Sequence, residues 1–395
     1  MAGFFVPKGF KAAGVHAGFK KDKPDFAVFV SEKPCEWSGV FTKNLFAAAP
    51  VLDSKSKLGG KVRAIIVNSG CANACTGVAG KAAVAQSCKI ASKALGCNGP
   101  EVLQASTGVI GRPLDVSKIE KGVAAAVTGL SDSPAAFSGA ASAIITTDQY
   151  VKISSAQFAA GGKTASVLGI AKGAGMIDPC MATMLCFLFT DASVEKSELE
   201  HGLKAAVSNS FNSISVDGET STNDSAILLS SGALGNAPVA KGGSGAKDFE
   251  EALSKVCLDL ALLIVADGEG AKKVLEVNVE GAASDEDAVV AAGAVVNSLL
   301  VKCAVFGGDP NWGRVASAIG ASGASVVPAR TAISIGGVVL FEKGEPKAAE
   351  KNAAAKMAEK KVVVRVDLGL GTGKGTKWGC DLTHEYVDLN SKYST

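Results

Sequence analysis

No Cys-x-x-Cys pair occurs in this 395-residue chain, although it carries ten cysteines. Cys71 and Cys75 stand four apart, Cys180 and Cys186 six apart, and most others sit among apolar neighbours, as in Ser-Cys88-Lys-Ile. That pattern reads as buried free thiols in a reducing compartment, not as a disulfide framework. Histidine is scarcer still. His16, His201 and His384 are the only three, and none has a second histidine or a cysteine at ligand spacing, so no zinc site is expected. Charge of one sign is also missing: 40 Lys+Arg face 38 Asp+Glu, a net +2. Such balance gives no electrostatic grip on nucleic acid or an anionic membrane surface, so neither is expected as a partner. No uncharged apolar run approaches the ~20 residues of a spanning helix. The first residues read neither as a secretory signal nor as a transit peptide, and an already removed transit peptide stays open. The expectation is a soluble protein that handles small molecules.

What is present is apolar mass and alternation. Hydrophobic residues make up 47% of the chain, and its length suits two or three domains. β-Branched runs alternate with Ala-rich helical runs, which predicts an α/β protein. Val62–Val67 reads as a buried strand ending in a polar Asn68-Ser69-Gly70 turn, and Lys81–Leu95 as a helix stopped by Gly96. Ser117 with Glu120 reads as a capping box opening a helix to about Val127. Met184–Phe189 is a continuous apolar run, as in a strand buried on both faces, and Phe249–Val265 has helical spacing. Further on, Val274–Val279 reads as a strand and Ser284 as the cap of a helix to about Val301. Pro346 reads as a helix start and Val362–Val366 as a strand. The expected division is a catalytic domain over 1–277 and a smaller α/β domain over 278–395.

Two motifs fail on inspection. Gly369–Thr376 resembles a phosphate loop, but Lys374 precedes Gly375 instead of Ser or Thr, and Trp378–Leu389 behind it reads as a strand. A glycine-rich hairpin is the expectation there. Gly320-Ala-Ser322-Gly is one residue short of a nucleophile elbow.

The unusual segment is Lys172-Gly-Ala-Gly-Met-Ile-Asp-Pro-Cys-Met-Ala182-Thr183, which runs straight into the buried strand. Two glycines and a proline impose irregular backbone, and strain at such a junction can press a hydroxyl toward the preceding carbonyl. Attack of Thr183 on the Ala182 carbonyl would give an ester, and hydrolysis would free Thr183 as a new N-terminus. Its α-amine, with a reference pKa of about 7.7–8.0, would then serve as an internal base. On local residues alone, an ordinary threonine at a strand start is the favoured reading.

The stretch from Lys172 to Asp191 resembles the cleavage site of the ornithine acetyltransferase/glutamate N-acetyltransferase family. Similar matches are Gly9–Gly14, Gly39-Val-Phe-Thr-Lys-Asn44, Asn68–Gly77, Ser106-Thr-Gly-Val-Ile-Gly111 and Thr146-Thr-Asp148. Ser215–Asp224, Asp267-Gly-Glu-Gly-Ala271, Asp309–Arg314, Trp378–Leu382 and Asn390–Thr395 follow in family order. The resemblance therefore covers essentially the whole chain. It implies a mixed α/β sandwich of the self-cleaving N-terminal-threonine acetyltransferase/aminopeptidase type, with a smaller C-terminal α/β domain whose tail returns to the active site. It also implies ping-pong acetyl transfer from N-acetylornithine to glutamate in arginine biosynthesis. Thr183 would be the nucleophile, with Thr107 and Gly108 stabilising the oxyanion. Thr146, Lys172, Thr183, Glu269, Asn390 and Thr395 would bind substrate, Lys172 suiting a carboxylate and Glu269 an ammonium group. No metal or organic cofactor is implied; some relatives also use acetyl-CoA as co-substrate, and this chain's use of it stays open. The assembly implied is a heterotetramer of two α chains (1–182) and two β chains (from 183). It would work in the cytoplasm of a bacterium, or in a plastid or mitochondrial matrix. Three departures from the family pattern, Lys43, Cys71 and Glu219, avoid the carried-over positions. Two other readings compete: an N-terminal-nucleophile aminopeptidase or amidase, and an uncleaved, non-catalytic binding protein.

Overall fold

A computed structural model describes residues 3–178 and 184–392. The chain divides into two units, the first comprising 1–212 with 220–264 and the second 213–219 with 265–395. The division expected at 277/278 falls inside the central strand of the second unit. A strand hydrogen-bonded on both sides cannot be split, so the break lies upstream of it.

The first unit runs β1 (Phe10–Val15), β2 (Phe26–Phe41), α1 (Ala49–Ser56), β3 (Val62–Cys71), α2 (Gly77–Leu95), β4 (Val102–Val109), α3 (Val116–Thr128) and α4 (Pro134–Ile144). It continues with β5 (Lys152–Ala160), β6 (Lys163–Lys172), β7 (Leu185–Thr190), α5 (Lys196–Ser208), β8 (Ser225–Ser230) and α6 (Ala246–Ala266). The sixteen-residue β2 serves two layers. Its first half lies between β1 and β3, with β4 parallel beyond β3. Its second half pairs with β8, and the sheet continues through β7 and β6 to β5. Alternating residues of β2 therefore supply both the space between the layers and the space under the helices. Phe29 points inward and meets Phe187 and Phe189 of β7 at ring centroid distances of 5.4 and 5.2 Å. Phe26 and Val28 point outward into a core shared with α2 and α3. On the far side, Gly169 of β6 lets Val256 and Leu260 of α6 approach closely. The result is the expected mixed α/β sandwich, with α2, α3 and α6 outside the layers and Phe137 of α4 joining the core between them.

Phe187 is fully buried between those layers. Phe187→Ala should cost about 3–5 kcal/mol, as cavity-forming truncations of buried aromatics do. Equilibrium denaturation, compared with wild type at unchanged m-value, measures that loss.

The second unit contains β9 (Val274–Ala282), α7 (Asp285–Asn297), α8 (Leu299–Gly307), α9 (Trp312–Gly320), β10 (Ala332–Ile335), β11 (Val338–Glu342) and β12 (Glu345–Pro346). After these come α10 (Glu350–Met357), β13 (Lys361–Asp367), β14 (Gly373–Cys380) and α11 (His384–Asn390). Its sheet has the order β12-β11-β10-β13-β9-β14. Its core is aliphatic, built on Leu275, Val277, Val364 and Val366 with Ala291 and Val295 of α7.

Several local expectations needed correction. Residues 68–70 are not a turn: β3 runs on to Cys71, held by its pairing with β4. The cap of α3 is Asp115, whose carboxylate accepts the Ser117 amide at 3.0 Å, so the helix opens before Ser117. Ser284 caps α7 as expected, but Ser298 breaks the run and caps α8 anew, with a 59° bend between the two helices. Pro346 sits on the edge strand β12, where a missing N–H costs nothing, and not at a helix start. The Gly369–Thr376 segment is no hairpin, because β13 and β14 lie on opposite sides of β9. The connection crosses the end of β9, where Leu370 and Gly371 both donate to the Gly281 carbonyl. The strand from Trp378 stops at Cys380. Asp381 there accepts the Lys272 and Lys273 amides at 2.8 and 3.0 Å, and α11 follows.

Candidate active site

Three of the residues expected at the site converge in the first unit. Thr107 and Gly108 end β4, whose parallel partner β3 bulges at Gly70 and Cys71. Gly108 has φ +130°, and a Cβ there would lie 2.4 Å from the Gly70 carbonyl carbon, so only glycine fits. A buried amide network fixes this loop pair. Asn68 accepts the Ser106 hydroxyl at 2.6 Å and donates to the Cys71 carbonyl at 2.9 Å. Asn223 donates to the carbonyls of Ala72 and Ser106 at 2.7 and 2.8 Å. Satisfied buried networks of this kind hold backbone rigidly.

Lys172, the last residue of β6, is buried, and its Nζ donates to Thr146 Oγ1 at 2.9 Å and Thr107 Oγ1 at 3.2 Å. The groups around it were not singled out from the sequence. Asp148 accepts the amides of Thr146 (3.0 Å) and Gly173 (2.7 Å) and pairs with Lys152 at 2.7 Å; both charged side chains are fully buried. Burial works to raise the Asp148 pKa, but the Lys172 and Lys152 charges and the hydrogen bonds outweigh it and hold the carboxyl down at about 2. Lys20 is near the same group, and its Nζ donates to the Ile145 carbonyl at 2.6 Å. Burial pulls the Lys20 amine down to about 8, against the opposing pull of Asp25. The ammonium groups of Lys172, Lys152 and Lys20 thus gather around Asp148, with Asp25 also beside Lys20.

Asp224, just before β8, is the other buried carboxyl here. Its Oδ1 accepts the Met184 amide at 3.2 Å, while Oδ2 has no hydrogen-bond partner among the described residues. Burial drives its pKa well above the usual carboxylate range, against the Met184 amide and the Lys172 charge. Met184 is the residue after Thr183. Thr183 and Ala182 themselves lie outside the described residues. The flanking strands are in register, Lys172 opposite Leu185, so the segment carrying the expected scissile bond leaves and rejoins adjacent strands.

In the second unit, Glu269 lies in the loop between α6 and β9, and Asn390 ends α11. Asn390 Nδ2 donates to Glu269 Oε2 at 2.8 Å and to the Tyr386 carbonyl at 3.0 Å. The loop is fixed by Thr383, whose hydroxyl donates to the Gly270 carbonyl at 2.7 Å. Burial first, then the neighbouring Asp217 carboxylate at 3.3 Å, push the Tyr386 phenol pKa up. Two more expected site residues are thereby paired, while Thr395 lies outside the described residues. Among the described residues no cluster of metal-ligating side chains occurs, and no single helix is long and apolar enough to cross a membrane. The nine described cysteines are unpaired.

Comparison with known proteins agrees along the whole length. The protein from Symbiobacterium thermophilum named arginine biosynthesis bifunctional protein ArgJ is 45% identical over 399 aligned positions, spanning 100% of this chain and 98% of that one. The protein of the same name from Thermotoga neapolitana is also 45% identical, over 99% of this chain and 100% of its own. A crystal structure of the Bacillus halodurans arginine biosynthesis bifunctional protein is 42% identical, with a TM-score of 0.51. It covers 52% of this chain and 98% of that one. These relatives and the family they share make this chain an enzyme of the acyltransferase class, working in arginine biosynthesis. The sequence model of the ArgJ family matches residues 11–395, and the chain belongs to that family.

Proposed function

We propose that this enzyme cuts itself between Ala182 and Thr183 and then carries acetyl groups on Thr183 from N-acetylornithine to glutamate. The observation that carries this reading is the convergence of Lys172, Thr107 and Thr146 beside Met184, the residue next to Thr183. In the transfer, Thr183 Oγ adds to the acetyl carbonyl as its α-amine takes the hydroxyl proton. Collapse of the tetrahedral intermediate then expels ornithine, whose nitrogen takes that proton. Thr107 and Gly108 stabilise the oxyanion, and Lys172 with Thr146 meets the substrate carboxylate. Glu269 suits an ammonium group, and Asn390 and Thr395 offer an amide and a hydroxyl to charged backbone groups of the substrate. The glutamate amine then attacks the acetyl ester and regenerates Thr183.

No metal or organic cofactor enters this scheme. The word bifunctional in the relatives' names favours a second loading route from acetyl-CoA, which would make N-acetylglutamate afresh. The cleaved protein is proposed to work as a heterotetramer of two chains of each kind, in the cytoplasm of a bacterial source.

A covalent acetyl carrier requires the first product to leave before the second substrate reacts. Varying acetylornithine and glutamate together should therefore give parallel double-reciprocal lines. Intersecting lines would mean direct transfer in a ternary complex. Acetate release from acetylornithine, unaffected by glutamate, would mean an amidase instead.

A further inference from the structure

One carboxylate touches both chain segments that carry the Lys172–Thr146 pair. Asp148 Oδ2 accepts the Thr146 amide, and Oδ1 accepts the amide of Gly173, the residue after Lys172. The backbone on either side of the 2.9 Å Lys172–Thr146 hydrogen bond is thus fixed by a single side chain. Oδ1 also binds the fully buried Lys152 ammonium from β5, where Lys152 stands opposite Ala171 of β6. We propose that Asp148 is a positioning residue for acetyl transfer, tying the Thr146 loop to the end of β6 and holding the charged Lys172 ammonium against Thr107 and Thr146. This rests on the reading of Lys172 as the partner of the substrate carboxylate.

Charge, and not shape alone, is what Asp148 supplies. A buried ion pair is costly to desolvate, and packing alone would be served as well by a neutral side chain. Lys172 is surrounded by Asp148 from the loop after α4, Lys20 from the loop after β1, and Asp224 from the start of β8. Lys152 acts on it through Asp148. Asp148, which bonds Lys152 at 2.7 Å and is held ionised by the Lys172 and Lys152 charges, is a counter-charge to both. Without it, buried like charges face one another, and Lys172 becomes easier to deprotonate.

The test uses the full-length, self-processed protein with Asp148→Asn, and with Asp148→Asn combined with Lys152→Met to restore the local charge balance should the single variant fold poorly. Three readouts are taken: thermal unfolding, kcat/KM for acetylornithine against pH, and the titration of the Lys172 ammonium by NMR on lysine-labelled protein, assigned with Lys172→Arg. The double variant should unfold near the wild-type temperature. Its kcat/KM should stay at least roughly thirtyfold down, with KM raised more than kcat falls. In the single variant the alkaline limb of the pH profile and the Lys172 titration should both move toward acid, and in the double variant, which lacks the Lys152 charge as well, they should move less. Recovery of wild-type kcat/KM and pH profile in the double variant would reduce Asp148 to a structural role and overturn the proposal. The NMR arm stands apart from the assigned reaction. Wild type without transferase activity would sink the functional reading, whereas an unmoved Lys172 titration would sink the role of Asp148.

Discussion

A Thr183→Ala protein is expected to run as one full-length band of 39.7 kDa and to transfer no acetyl groups. Wild type should instead give chains of 182 and 213 residues (395 − 182 = 213). Alanine removes the hydroxyl that attacks the Ala182 carbonyl. The chain then stays intact, and the α-amine that would act as base is never released. Two functions are lost through one atom, so the effect is far larger than that of removing a binding contact. A decrease of roughly 10⁴-fold or more, down to background, is the scale for a lost nucleophile. Folding should be unaffected, since β7 begins only at Leu185. Electrophoresis and an acetylornithine–glutamate assay on one preparation read both losses. Normal cleavage in the alanine variant would place the cut elsewhere.

The second large effect is expected from Lys172→Met, which keeps the length and apolar stem of the side chain and deletes the ammonium. The substrate carboxylate then faces two hydroxyls without the ammonium that both of them bind. A hydrogen bond to a charged group contributes about 1.5–3 kcal/mol, and a desolvated charge left unpaired adds to the loss. Together these give a fall in kcat/KM of roughly 10²–10³-fold. Self-cleavage needs no substrate carboxylate and should proceed. Steady-state kinetics beside a band-ratio measurement separates the two steps. Retained transfer would remove Lys172 from the substrate site, and loss of both would show that the ammonium also orders the cleavage segment.

How much of this was legible in the sequence depended on the range of the interactions. The apolar run of β7 and the helical spacing of α6 are local patterns, and both elements lie close to where periodicity put them. Where two neighbouring groups competed for one role, the pattern was ambiguous. Asp115 outcompetes Ser117 as a cap because its carboxylate reaches the second amide of the helix. Partner choice in the second sheet is non-local, and nothing between Lys361 and Cys380 says that β13 and β14 flank β9 instead of pairing. The site follows the same rule. Lys172 meets Thr107 and Thr146 across 65 and 26 residues of chain, so their grouping was available only through resemblance to the family. Asp148 and Lys152 are four apart, which usually signals a helix face, but here one lies within a loop and the other starts a strand. Asp224 sits in a polar run that reads as solvent-exposed, and only the tertiary packing reveals a buried carboxyl.

The central claim is that Thr183 carries the acetyl group. The most direct measurement is intact mass of the purified, self-processed enzyme mixed with acetylornithine alone, acid-quenched within the first turnover. The account predicts an addition of one acetyl group on the 213-residue chain, mapped to the Thr183 side chain and discharged when glutamate is added before the quench. An unmodified 213-residue chain in an enzyme that turns over with both substrates would contradict it, as would an acetyl group mapped to any other residue.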